Sequence, residues 1–254
     1  MINDRIFLGF PIKFRDICEI FPPKVNDVVG NDNFDIYLTL FTITQEELDK
    51  IYLKDKSVEH IPTPFQYLMM NYYSEEEMRN YIEMAFNFFI HEPVTIVPEL
   101  EMLLIGKSED ELDPDVDLEN PRLIKEEDFF DFQNHVRMSV GQSIIEPPKE
   151  DDINEDPRVK RWKMKIKERE RIINSKKAKN APTLGTLLAA ICCMGIGLNP
   201  LNIGEISYAC VQWLIAMYQQ NEEYDVDVRA LLAGADSKKV KPKYWIKNLD
   251  RKEL

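Results

Sequence analysis

Residues 63–90, TPFQYLMMNYYSEEEMRNYIEMAFNFFI, contain two helix-start signals and two apolar stripes. Thr63 followed by Pro64 is an N-cap with proline at the first helical position, and residues 74–77, Ser-Glu-Glu-Glu, form a capping-box pattern. Apolar side chains then recur every three or four residues from Phe65 and from Met78. The stretch therefore predicts two consecutive amphipathic helices and a mainly helical fold.

Short apolar segments on both sides of these helices are typical of strands. Residues 2–21 alternate loosely between apolar and polar types, and Gly9 and Pro11 interrupt them, which favours short strands or a hairpin. Residues 94–97 and 100–105 are separated by Pro98 and Glu99 and predict a second hairpin. Further helices are predicted over 25–29, 34–41, 44–52 and 125–140, so the part up to residue 145 is expected to be an α+β module.

The composition changes after residue 145. Residues 146–156 hold six acidic side chains against a single lysine, which predicts a linker. Residues 158–179 then carry eleven basic and two acidic side chains, with Trp162, Ile166 and Ile173 in a narrow apolar stripe. Such a helix is either a solvated one balanced by the acidic linker, a docking element for an acidic partner, or an RNA-binding element.

Apolar helical spacing resumes at Thr183, which is placed to cap a helix ending near residue 194. A glycine- and asparagine-containing turn follows, then a third helix around Trp213 and Met217, and a fourth over 224–232 that ends at Ala233 and Gly234. The predicted organisation is an α+β module at 1–145, an acidic linker at 146–156 and a helical module at 157–254. The fold class is mainly α with a small β component.

Charge and motifs exclude most site chemistries. The net charge of −13 disfavours a nucleic-acid-binding protein, and nine glycines are few for phosphate-binding loops. The acidic residues 113–119 begin like a calcium loop, but Leu118 and Ile124 stand where glycine and glutamate are required. A nucleophilic pair of Cys210 and His135 is disfavoured because an apolar helix face raises the pKa of a thiol. We therefore predict no catalytic residue, no metal, no cofactor and no membrane span, and the four cysteines are expected to be reduced.

Five segments of the chain share their order and character with one known family. They are 18–28 (CEIFPPKVNDV), 125–133 (KEEDFFDFQ), the acidic-to-basic step over 150–179, 224–235 (YDVDVRALLAGA) and 244–249 (YWIKNL). In this order they resemble the tail assembly chaperones encoded by tailed phages of Gram-positive hosts. The last two segments are the most specific.

The resemblance implies a non-enzymatic protein. Such chaperones bind the long helical tape measure protein in the infected cell, keep it soluble, help the tail tube polymerise around it, and are absent from the finished virion. The expected partners are therefore the tape measure protein and the tail tube protein. The expected location is the host cytoplasm. Self-association is left open.

The apolar residues of the helical module are the candidate partner-binding positions, because a tape measure helix needs an apolar surface to cover its exposed face. Two alternatives remain: a phage regulatory protein that binds a host enzyme or defence protein, and an enzyme of unrecognised type. The predicted partner-binding residues are Trp162, Ile166, Ile173, Trp213, Met217, Leu231, Leu232, Tyr244 and Trp245.

Overall fold

The computed structural model describes residues 4–52, 61–97, 101–106, 122–147 and 183–244. Over these ranges the chain is mainly helical with two small antiparallel sheets, which confirms the predicted fold class. The predicted linker from residue 148 onward, the basic segment 158–179 and the segment from Trp245 to the last residue lie outside the described residues, as do the acidic residues 107–121.

Nine helices and five strands lie in the described ranges. In chain order they are α1 (Asp4–Phe7), β1 (Ile12–Phe14), β2 (Cys18–Ile20), α2 (Val25–Val29), α3 (Phe34–Thr42), α4 (Gln45–Tyr52), α5 (Pro64–Ser74), α6 (Glu76–Ile90), β3 (Val94–Val97), β4 (Met102–Ile105), β5 (Leu123–Ile124), α7 (Glu126–Ser139), α8 (Leu184–Cys193) and α9 (Tyr208–Leu232). A short 3-10 helix, Ile203–Glu205, precedes α9.

Local capping signals set several helix starts. Thr63 Oγ1 accepts a hydrogen bond from the Gln66 N–H at 3.2 Å, and Gln66 Oε1 accepts one from the Thr63 N–H, so α5 begins as predicted. The predicted box at 74–77 is wrong: Ser74 is the last residue of α5, and its hydroxyl donates to the Asn71 carbonyl at 2.9 Å. The Asn71 carbonyl lies in the last turn of α5, where no helical N–H is available to it. It therefore accepts a hydrogen bond from the Ser74 hydroxyl, which is no longer available to cap α6.

Two more local predictions need correction. Residues 4–7 form one helical turn rather than a strand, and Gly9, at φ +78°, lets the chain leave that turn before the β1–β2 hairpin. The predicted third and fourth C-terminal helices are one continuous helix, α9, because residues 218–223 contain neither glycine nor proline to interrupt it. The predicted hairpin of β3 and β4 is confirmed, and β5 adds a third strand that is too short to predict.

The core is a cluster of aromatic rings between α3, α6 and α7. Phe132 of α7 lies at its centre, with ring centroids 5.5 Å from Phe41, 5.9 Å from Phe86 and 5.6 Å from Phe14 of β1. Edge-to-face and offset ring pairs of this kind stabilise a core beyond the area they bury. The two sheets flank the cluster, since β2 and β3 both contact α6.

The C-terminal helices join this core. Ala209 and Trp213 of α9 belong to the same apolar cluster as the aromatic rings, and Trp213 stacks on Phe7 with centroids 6.0 Å apart. A smaller cluster of Val25, Ile191, Ile203 and Val211 packs α8 and the 3-10 helix against α2 and α9. Residues from both sides of the predicted linker therefore share one packed body.

A short antiparallel contact fixes the start of α9. The Val25 N–H donates to the Ile206 carbonyl at 3.0 Å, and the Tyr208 N–H donates to the Pro23 carbonyl at 2.8 Å, on either side of a bridge between Lys24 and Ser207. The buried Ser207 hydroxyl donates to the Ile6 carbonyl at 3.0 Å and accepts from the Cys210 N–H at 3.1 Å. One side chain thus caps α9 and ties it to α1.

Replacing that hydroxyl is expected to destabilise the whole body. We expect Ser207→Ala to lower the free energy of unfolding by about 2 kcal/mol, since it removes an N-cap and leaves the Ile6 carbonyl without that donor. Thr183→Ala is the matched control, because Thr183 caps α8 in the same way but is exposed, and we expect it to cost about 1 kcal/mol or less. Urea unfolding followed by circular dichroism measures both, and equal losses would contradict the cross-linking role of Ser207.

One arginine forms an ion pair beside the three-stranded sheet and a hydrogen bond to the other sheet. Arg122, just before β5, donates two hydrogen bonds of 2.7 Å to the carboxylate of Glu92, and its Nε–H donates to the Ile17 carbonyl in the turn between β1 and β2. The guanidinium holds the pKa of Glu92 below its ordinary value. Gly106, at φ +92°, lies against this pair, and a Cβ there would approach Arg122 Nη1 to 3.1 Å.

The pair should make stability depend on pH in a defined direction. The ion pair lowers the pKa of Glu92 in the folded protein. Its contribution to the free energy of unfolding is therefore fully present above the unfolded-state pKa of about 4.3, and it is lost as pH falls through the lower pKa of the folded state. We expect wild type to be more stable than Glu92→Gln at pH 7, and the difference to shrink between pH 5 and pH 3. Glu223→Gln, at an exposed position of α9, is the control and should show no such convergence in urea unfolding.

Candidate interaction surface

The stretch from Thr183 to Gly204 contains no Asp, Glu, Lys or Arg, in a chain that is 30% charged. It forms α8, the turn after it and the first part of the 3-10 helix. Soluble proteins normally cover exposed surface with charge, so an exposed stretch without charge points to contact with another molecule.

Helix α8 has a buried side and an exposed side. Ile191 is fully buried, and Leu188 packs with it against Val211 of α9. The opposite side carries small residues that are exposed, namely Gly185, Ala189, Ala190 and Cys193. Side chains of this size allow the backbone of another helix to approach closely.

The turn after α8 presents large apolar side chains on a fixed backbone. The Asn199 N–H donates to Asn202 Oδ1 at 2.7 Å, and the Leu201 N–H donates to Asn199 Oδ1 at 2.9 Å. The Asn202 amide also donates to the Gly197 carbonyl at 3.1 Å. Leu201 is 95% exposed at the tip of this bonded turn, and Ile196 is half exposed beside Gly197. A rigid backbone lowers the entropic cost of binding through these side chains.

The exposed leucine should contribute nothing to folding. We expect Leu201→Ala to change the free energy of unfolding by less than about 0.5 kcal/mol, since the side chain makes almost no buried contact. Ile203→Ala, two residues away and buried in the smaller cluster, should cost about 3 kcal/mol. Thermal or urea unfolding of the two variants measures the contrast, and a large loss for Leu201→Ala would mean that the side chain packs on its own chain.

Helix α9 continues the apolar exposure along its length. Its 25 residues span about 37 Å at 1.5 Å per residue. Val226 and Leu232 are exposed, the latter by 83%, and Tyr224 makes an edge contact with Tyr244 at 5.8 Å. The Asp225–Arg229 pair on the same helix is exposed and contributes little to stability.

An open groove lies beside the start of α9. It has a volume of about 820 Å³ and is lined mainly by apolar residues, among them Phe7, Leu8, Phe21, Pro22, Phe88 and Ile206. Lys24 and Glu205 form an exposed ion pair of 2.8 Å at its edge, which lowers the pKa of Glu205. His91 is stacked on Phe21 with centroids 4.2 Å apart, at the left-handed residue that ends α6.

The buried cysteines Cys18 and Cys210 are held as neutral thiols. Burial raises the pKa of the Cys210 thiol to about 11 and that of the Cys18 thiol to about 12, so neither is a thiolate at neutral pH. Within the described ranges there is no group of three histidine, cysteine, aspartate or glutamate side chains placed to hold a metal ion. No helix in those same ranges is long and apolar enough to cross a membrane.

The structure separates the predicted partner-binding residues. Trp213 is only 8% exposed and packs in the core. Apolar residues at helical spacing can lie on a buried face or on a binding face, and the sequence alone did not distinguish the two. Met217 and Leu231 are half-buried on α9, whereas Leu232 and Tyr244 are exposed. Trp162, Ile166, Ile173 and Trp245 lie outside the described residues.

The sequence analysis predicted a turn after α8 but did not identify its exposed apolar side chains as candidate contacts. Leu201 and Ile196 are its most exposed apolar side chains, and they do not fit a helical stripe. The absence of charge between Thr183 and Gly204, together with two asparagines around Pro200 and Leu201, was the signal that could have found them.

Comparison with known proteins connects this part of the chain with phages. Residues 175–250 match the family model of the YomV second domain, a phage-derived domain family. The matched range contains α8, the turn and α9. No curated protein matches the chain, and no solved structure matches it. The C-terminal part of the protein is thus similar to a phage domain.

Proposed function

We propose that the protein is a phage tail assembly chaperone, which binds the tape measure protein in the host cytoplasm and assists tail tube assembly without catalysis or a cofactor. Three observations support the proposal: the resemblance of five segments to that family, the match of residues 175–250 to a phage-derived domain, and the exposed apolar surface within the matched range. The finished virion would not contain it.

The charge-free exposed surface of α8 and its turn carries the proposal. A tape measure protein is a long amphipathic helix, and its apolar face is exposed to water until the tail tube encloses it. The small side chains on the outer side of α8 let such a helix lie close, and Leu201 and Ile196 project beside it as anchoring side chains. The net charge of −13 keeps the resulting complex soluble.

Co-expression with the cognate tape measure protein tests the function. We expect the tape measure protein to be largely insoluble alone and soluble with this chain. The double variant Ile196→Asp with Leu201→Asp should lose most of this effect, because two buried charges would then face an apolar helix. Ile51→Asp, on α4, changes an exposed apolar residue outside the proposed surface and is the matched control, which should behave like wild type.

Two results would overturn the proposal. One is a tape measure protein that is equally insoluble with and without this chain. The other is recovery of a host enzyme or defence protein, and no tape measure protein, on affinity purification from infected cells, which would favour the regulatory alternative.

A further inference from the structure

Helix α9 changes character after its first turns. Its buried residues lie between Ala209 and Trp213. From residue 217 onward one side of the helix is half-buried, and the opposite side, which includes Glu222, Glu223 and Val226, is exposed. Five half-buried positions follow one another at intervals of three or four residues, as in the seam of a coiled coil. This seam consists of Met217, Asn221, Tyr224, Val228 and Leu231.

The surroundings of the seam favour a positively charged partner. Asp225 and Asp227 are half-buried beside it. Gln220 also lies beside it, and the amide oxygen of Gln220 is inaccessible to water and accepts no hydrogen bond from a described residue. Buried acceptors are nearly always paired, and lysine and arginine side chains are donors without acceptors.

The basic segment 158–179 has the complementary sequence. It lies outside the described residues, and it carries eleven basic and two acidic side chains. Its apolar residues have the spacing of the seam in reverse order, with Arg169 at the one polar position. An antiparallel alignment pairs Ile173 with Met217, Arg169 with Asn221, Ile166 with Tyr224, Trp162 with Val228 and Val159 with Leu231.

This alignment places the single polar position of each stripe opposite the other. Arg169 then faces Asn221, and the remaining four pairs are apolar or aromatic. A lone polar pair within an apolar seam fixes the register of two helices, because any shift would place each polar group against an apolar one.

The path of the chain favours the antiparallel direction. Residues 180–182 connect the basic segment to Thr183, the cap of α8, and three residues span at most about 10 Å. Leu184 packs against the apolar cluster that contains Trp213 of α9. The end of the segment is therefore tethered near the beginning of the seam, which gives it a high effective concentration there.

We propose that residues 158–179 dock antiparallel on the outer half of α9 in the same chain, with their apolar side chains on the seam and their basic side chains near Asp225, Asp227 and the Gln220 amide oxygen. The segment with the strongest positive charge then has an acidic surface of its own chain as its partner. The proposal does not depend on the chaperone function.

Photo-crosslinking of the full-length protein tests the docking and its register. We expect p-benzoylphenylalanine at position 228 to form a bond to residues 159–166 within one chain, which mass spectrometry locates. The matched control places the same group at position 226, where Val226 is 60% exposed on the opposite side, and should give no such product.

Limited trypsin digestion tests the charge contacts, because the segment contains eleven lysine and arginine sites. We expect Asp225→Asn with Asp227→Asn to speed cleavage within 158–179 about fivefold, since the segment would be released more often. Glu222→Gln with Glu223→Gln makes the same change in net charge on the exposed side and should change the rate by less than about twofold. Both double variants are expected to keep the wild-type circular dichroism spectrum and unfolding midpoint.

Four results would overturn the proposal. Two come from crosslinking at position 228: attachment to residues beyond Tyr244 or elsewhere outside 158–179, and a crosslinked dimer, which would make a second copy the occupant. The third is equal acceleration of cleavage by the two double variants. The fourth is the absence of any crosslink from position 228.

Discussion

The Ser207 hydroxyl and the backbone bonds around it determine how the two ends of the chain meet. The hydroxyl satisfies one helix N–H of α9 and one carbonyl of α1, and the residues on either side pair with Pro23 and Val25. A buried polar group must have its hydrogen bonds made, so this contact allows one arrangement of α9 against α1 and α2. The stack of Trp213 on Phe7 and the smaller apolar cluster both require that arrangement.

The exposed apolar surface follows from the same contact. Once α9 is fixed, α8 can bury only its Leu188 and Ile191 side, and its small-residue side is left facing outward. The asparagine-bonded turn then holds Leu201 in water, where it gains nothing from folding. A folded protein that keeps such a side chain on a rigid turn is suited to bind an apolar partner with little loss of entropy. This is the physical basis on which the chaperone proposal stands.

Charged side chains are distributed unevenly over the C-terminal part of the chain. Residues 183–204, which form α8 and its turn, carry no charged side chain, whereas α9 carries Glu222, Glu223, Asp225, Asp227 and Arg229. Apolar contact gives affinity with little directional preference, while charged contact adds orientation and ionic-strength dependence. Helix α8 and its turn therefore offer apolar contact, and the second half of α9 offers charged contact.

The sequence by itself determined the features that depend on neighbours within about four residues. The capped start of α5 at Thr63, the helix beginning at Phe34 and the hairpin of β3 and β4 were all readable, because hydrogen bonds and apolar periodicity within each segment specify them. Where two local partners compete, sequence reasoning was wrong: Ser74 bonds to the preceding helix rather than capping the next. Only the tertiary structure decided which apolar residues face water. Trp213 and Leu201 are both large and apolar. Trp213 is buried in the main core, where it stacks on Phe7 from the opposite end of the chain, whereas Leu201 lies at the tip of a turn and no distant element of the described chain covers it.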